Sequence, residues 1–136
     1  MDDHELAILL DRLMRRFGAG IHQRARTVDV HGVGPLGGML LTQLAEMNPA
    51  RLSDLVSSMH RDKSQMTRVV RRLEQSGLLM RSQDPDDGRA VVVSLTPAGL
   101  EQVRVIREVM SDVVGELFKP LDDESRATLL DVLRQL

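Results

Sequence analysis

Two phenylalanines, Phe17 and Phe118, are the only Phe, Tyr or Trp side chains in the 136 residues. A core without large rings must be built from Leu, Val and Met. Such a core suits helices with adaptable packing better than an aromatic-rich β-sandwich. The length fits one domain, and a chain of this size buries roughly two-thirds of its unfolded surface. The expected class is therefore mostly α, and any sheet should be small.

Cysteine is absent. That excludes disulfides, thiolate metal sites and thiol redox sensing within the chain. It agrees with a cytoplasmic location, which is the expectation here. Asp2, Asp3, Glu5 and Asp11 interrupt the first residues, so no signal peptide is expected. No run approaches the roughly 20 apolar residues of a membrane span. The net charge is −2. Any binding to a polyanion must therefore rest on local rather than overall charge.

Hydrophobic periodicity divides the chain. Leu6, Leu9, Leu10, Leu13, Met14, Phe17 and Ile21 recur at three- and four-residue steps, predicting a helix over 5–26. Thr27, Asp29, Gly32 and Gly34 mark a connection. Pro35 opens a helix to residue 47, with Leu36, Met39, Leu40, Leu44 and Met47 on its apolar face, and Asn48-Pro49 ends it. A short helix over 50–59 turns Leu52, Leu55, Val56 and Met59 inward. Asp62 can cap a helix over 63–76, which Gly77 terminates. Residues 78–83 and the β-branched 90–95 read as a hairpin around the turn Asp84, Pro85, Asp86, Asp87, Gly88. Thr96-Pro97 starts a long helix with a seam of Val103, Ile106, Met110, Val113 and Leu117. Pro120 stops it. Asp122 and Asp123 open a last helix carrying Leu129, Leu130, Leu133 and Leu136.

The helix over 63–76 holds the clearest chemistry. Met66, Val69, Val70 and Leu73 lie at i, i+3, i+4 and i+7 and form one stripe for burial. At about 100° per residue, Ser64, Arg68, Arg71 and Gln75 point the other way. Arg61 and Arg72 flank that face, and Thr67 lies at its edge. Arg61, Lys63, Arg68, Arg71 and Arg72 are opposed within 61–72 only by Asp62, a local charge of +4. Arg reads guanine and Gln reads adenine through paired hydrogen bonds in a major groove, while Ser, Thr and Lys anchor phosphates. The helix over 50–59 would brace this one across a tight turn, as in a helix-turn-helix. At the hairpin tip, Arg89 suits a narrow minor groove, and Asp87 is the carboxylate expected to hold its guanidinium in one orientation.

The run from 61 to 101 resembles the MarR family signature closely. The matching pieces are DKSQMTRVVRRLEQSGLL at 62–79, DPDDGR at 84–89 and VSLTPAG at 93–99. LSDLVSSM at 52–59 fits more weakly, and the terminal helices fit by arrangement alone. The resemblance implies a winged helix-turn-helix over 35–95 within a single 1–136 domain, with 1–34 and 96–136 as a helical dimerisation part. It implies base and phosphate contacts from Ser64, Gln65, Thr67 and Arg68, and a wing contact from Arg89 with Asp87 as partner. His60 and Gly88 depart from it, standing where a small turn residue and a basic residue are common. The resemblance further implies repression by blocking polymerase. It implies relief by a small anionic or aromatic molecule bound between the dimer helices and the winged part, where Arg16 and Arg24 offer cations.

Dimerisation also follows from the residues themselves. The terminal helices carry more apolar stripe than a small winged domain can cover, and monomers avoid large apolar patches. Leu6, Leu9, Leu10, Leu13, Val113, Leu117, Leu129, Leu130 and Leu133 are the expected interface. Two-fold symmetry would set two reading helices about 34 Å apart on a pseudo-palindrome.

Other readings are weaker. His4, His22, His31 and His60 are too dispersed in sequence for a metal-responsive regulator to be preferred, and no cofactor or metal is expected. The carboxylates of DPDDGR do not continue into a calcium-loop pattern. No nucleophile–base constellation suggests an enzyme. A winged helix used only for protein interaction is the rival from another class, and steep salt dependence of DNA affinity separates the two.

Overall fold

The computed structural model of the chain describes residues 2–25, 29 and 31–136. Its elements run α1 (Asp3–Gln23), α2 (Gly34–Met47), β1 (Ala50–Arg51), α3 (Leu52–Ser58), α4 (Lys63–Gln75), β2 (Leu79–Gln83), β3 (Val91–Leu95), α5 (Pro97–Leu117) and α6 (Asp123–Arg134). The expected end of the first helix at 26, and Thr27 in the connection, lie outside the described residues. The chain divides into two compact units, 25–107 and 1–24 with 108–136. The first half of α5 thus belongs with the winged unit, whereas the sequence reading cut at 95.

In unit 25–107, Leu40, Leu41 and Leu44 of α2 pack with Leu55 of α3, Met66, Val70 and Leu73 of α4, and Leu79 and Val93 of the sheet, all buried. This is the aliphatic core that the missing aromatics required. Met39, expected on the inward face of α2, is instead exposed. The α2 terminus is held by Asp29, whose Oδ1 accepts the Val33 N–H at 2.7 Å. Leucines at helical spacing need only a shared apolar volume, so this packing follows from the pattern.

The sheet is antiparallel in the order β1-β3-β2. The hairpin was expected, but β1 corrects the reading of 50–59 as helix throughout. Ala50 pairs with Val93 and Arg51 with Val92. Two residues are too short for a period to show in sequence, and only the neighbouring strand gives them an extended form. Asn48 also serves this corner, its Oδ1 accepting the Leu95 N–H at 3.0 Å.

The turn between α3 and α4 contains His60 at φ 51°. A side chain in this left-handed region is strained, whereas glycine is not. His60→Gly is expected to raise stability by about 1 kcal/mol, after part of the gain is offset by glycine's greater unfolded freedom. Thermal unfolding of the two proteins checks this, and a lowered midpoint would contradict it.

In the other unit, α1 is capped by Asp2, which accepts the His4 N–H at 3.0 Å. The α6 cap is Asp122, whose Oδ1 accepts the Ser125 N–H at 2.8 Å. That bond holds the Asp122 carboxyl below its ordinary value. A Cβ at Gly20 would stand 2.6 Å from Val113 Cγ1, so α1 and the second half of α5 approach closely there. Arg24 Nη2 reaches Glu116 Oε1 at 2.8 Å.

Leu6, Leu9, Leu10, Leu130 and Leu133 are 48–58% exposed, and neither α1 nor α6 buries any residue. Leu13, Leu117 and Leu129 are partly covered. Val113 is different. It is 2% exposed and covered within its own chain, so it has no surface left for a partner.

Candidate nucleic-acid interface

Helix α4 begins where Asp62 Oδ1 accepts the Gln65 N–H at 2.8 Å. It ends at Gly77, φ 75°, where a side chain would be strained. There the Leu78 N–H donates to Leu73 O at 3.0 Å and the Gly77 N–H to Glu74 O at 3.0 Å. That paired closure satisfies the last carbonyls and turns the chain into β2. Both ends were legible because caps act through a side chain or a glycine at fixed offsets.

Between these ends the two faces separate as the spacing requires. Met66, Val69, Val70 and Leu73 are buried. Arg61, Lys63, Ser64, Gln65, Arg68, Arg71 and Arg72 are exposed, and Thr67 is partly covered. The Thr67 hydroxyl donates to Lys63 O at 2.8 Å, which leaves its oxygen only as an acceptor, so the phosphate contact expected of Thr67 would first have to break this bond. None of the five cations from Arg61 to Arg72 is ion-paired among the described residues. Nearby, Glu74 Oε2 pairs with Arg81 Nε at 2.5 Å, leaving Arg71 unneutralised. Arg71, Glu74, Gln75 and Arg81 line a shallow cleft of about 400 Å³.

The hairpin presents a tight loop. The Asp84 N–H donates to Ala90 O, and the Ala90 N–H donates to Asp87 O, each at 3.0 Å. Asp87 needs a correction. Its Oδ1 accepts the Arg89 backbone N–H at 3.1 Å rather than gripping the guanidinium. A carboxylate two residues before an amide closes an Asx-turn locally, and that bond takes precedence. Asp87 thus shapes the loop that carries Arg89, which is exposed at the tip.

Sequence reading missed three residues of this region, Arg51, Glu74 and Arg81. Arg51 Nε and Nη2 lie 2.9 Å and 2.8 Å from Asp84 Oδ2. The Asp86 N–H, first, and Arg51, second, hold the Asp84 carboxyl below its ordinary value of 3.8. Folding therefore favours the charged form. That contribution is complete above the ordinary carboxyl range and is lost as pH falls through the lower, folded-state value. No spacing in the sequence links Arg51 to Asp84, 33 residues on. Among the described residues no group of three or more His, Asp or Glu converges as a metal site. No described helix is long and apolar enough to cross a membrane.

Two helices joined at a tight turn, the second exposing an unneutralised cationic face, with a hairpin following it, define a winged helix-turn-helix protein. The MarR family model matches residues 38–91. A Thauera aromatica protein assigned to transcriptional regulation of the hcr operon is 34% identical over 121 residues, which are 87% of this chain and 72% of that protein. The chain belongs to the MarR family of DNA-binding transcriptional regulators.

Solved structures agree with the fold. The Bordetella bronchiseptica regulator BpsR is 26% identical with a TM-score of 0.73, over 97% of this chain and 98% of that one. The DNA binding of that protein is described as regulated by 6-hydroxynicotinic acid. Wild-type Escherichia coli MarR, in its apo form, is 22% identical with a TM-score of 0.79, over 96% of this chain and 95% of that one. At that identity the likeness concerns the fold alone.

Proposed function

We propose that this protein binds a pseudo-palindromic operator as a homodimer and represses transcription until a small anionic or aromatic molecule releases it. The observation that carries the reading is the outward cationic face of α4, its five charges unneutralised among the described residues and its apolar stripe fully used in the core. Arg68, Arg71, Ser64 and Gln65 read bases or anchor phosphates, with Arg61, Lys63 and Arg72 along the backbone. Arg89 enters the minor groove, supported by the loop that Asp87 shapes. Thr67, its hydrogen committed to Lys63 O, accepts rather than donates.

The homodimer accounts for the exposed stripes of Leu6, Leu9 and Leu10 on α1 and Leu130 and Leu133 on α6, with Leu13, Leu117 and Leu129 at their edges. Large apolar patches of this kind are covered in stable proteins. Release by a small molecule rests on the family and on the behaviour named for BpsR.

Selection of duplexes from a randomised pool, followed by titration at several salt concentrations, tests the reading. A selected duplex with two half-sites about one helical turn apart is expected. For six phosphate contacts, affinity should fall roughly a thousandfold between 50 and 200 mM salt. A protein that retains no duplex even in dilute buffer overturns the reading and leaves a protein-interaction module. Thermal shift with phenolic and carboxylate compounds tests the effector separately.

A further inference from the structure

Strand β1 carries a residue whose placement the family signature does not explain. Arg51 closes β1 opposite Val92, and Val92 stands opposite Ser82 on the other side. Strand β3 lies between β1 and β2, so the long Arg51 side chain reaches past its neighbouring strand to Asp84, the residue that follows the end of β2. Both Arg51 bonds go to Asp84 Oδ2, at 2.9 Å and 2.8 Å. The other oxygen, Oδ1, accepts the Asp86 N–H at 2.9 Å. The Asp84 backbone N–H closes the loop on Ala90 O at 3.0 Å. The Asp84 side chain is 11% exposed and Arg51 48%, so the carboxylate belongs to the body of the wing and the arginine covers it from outside.

We propose that Arg51 is a positioning residue for the wing, clasping Asp84 so that the loop over 84–90 presents Arg89 in one orientation to the duplex. The proposal rests on the DNA-binding reading above. It reverses a simple electrostatic expectation. An aspartate beside DNA repels phosphate, so its removal should strengthen binding. If Asp84 instead anchors the loop, its removal weakens binding.

The test uses the full chain with Arg51→Ala, Asp84→Asn and the double variant. Amide hydrogen exchange at Asp86, Arg89 and Ala90 is read without DNA. Affinity is read on a duplex selected by the unaltered protein, and thermal unfolding is the control. Faster exchange at the three amides is expected in each variant, with a single cooperative unfolding transition whose midpoint falls only slightly, by the loss of the Arg51–Asp84 pair. Each single variant should bind about fivefold more weakly, and the double variant no more weakly than either single one, since the pair acts as a unit. Unchanged exchange, tighter binding by Asp84→Asn, or additive losses in the double variant would each overturn the proposal. An unaltered protein that ignores every duplex defeats the DNA reading instead, while the exchange measurement still decides whether Arg51 holds the loop.

Discussion

Replacing Arg68 and Arg71 together with alanine is expected to abolish tight operator binding while leaving the fold intact. Both side chains are exposed on the outer face of α4. The stability change should stay within about 0.5 kcal/mol, since neither guanidinium packs in the core and alanine is a strong helix former. Binding is another matter. A specific arginine contact is worth about 1–3 kcal/mol, and the proposed dimer would present each residue twice. Partial redundancy among neighbouring cations reduces the sum, so a loss of roughly 100-fold or more is the expected result. The salt slope should become shallower by about 1 for each phosphate contact removed. Arg12→Ala serves as the comparison, because it removes one exposed positive charge from α1. If the double variant binds the selected duplex as the unaltered protein does, α4 is not the reading helix.

The second large effect is structural. Gly99→Ala is expected to destabilise the protein by about 3 kcal/mol, a fall in melting temperature of roughly 10 °C. A Cβ built at Gly99 stands 1.9 Å from the Leu78 carbonyl oxygen and 3.2 Å from Leu95 Cδ2. No such contact survives, and the obstacle is backbone rather than a pliable side-chain end. Leu78 O already accepts the Thr96 N–H at 3.2 Å, while the Leu78 N–H closes the end of α4 on Leu73 O. Moving it would disturb the helix terminus and the root of the hairpin together. The adjoining Thr96 is equally constrained. Its Oγ1 donates to Gly77 O at 2.5 Å and accepts the Gly99 N–H at 3.1 Å. Gly88→Ala is the control, since nothing lies within 4 Å of a Cβ there. Equal melting temperatures for Gly99→Ala and the unaltered protein would show that this junction is looser than its geometry.

The same junction explains why VSLTPAG was recognisable. Thr96 caps α5, Pro97 occupies its first turn without needing an amide partner, and Gly99 makes room for the carbonyl of Leu78. Each residue type answers a local demand, so the run can be read before any tertiary contact is known. Met66, Val69, Val70 and Leu73 were legible for a similar reason, because a helix converts spacing directly into a face.

Other features had no such local code. Strand β1 exists because β3 runs beside it. The clasp of Arg51 on Asp84 joins residues far apart in sequence. Asp87 was correctly placed in the wing, but its partner turned out to be an amide rather than a guanidinium, a choice made by the turn's backbone geometry. Val113 and Leu10 look alike as members of apolar seams, yet one packs within the chain and the other stays exposed.

Residue order alone determined the helices, their caps, the hairpin, the aliphatic core and the cationic face of α4. All depend on neighbours within about one or two helical turns, or on fixed turn offsets. Tertiary structure alone decided strand β1, the ion pair that holds the wing, and which apolar residues remain uncovered. Those depend on which distant segments meet, and hydrophobic periodicity specifies that a face is buried without specifying what buries it.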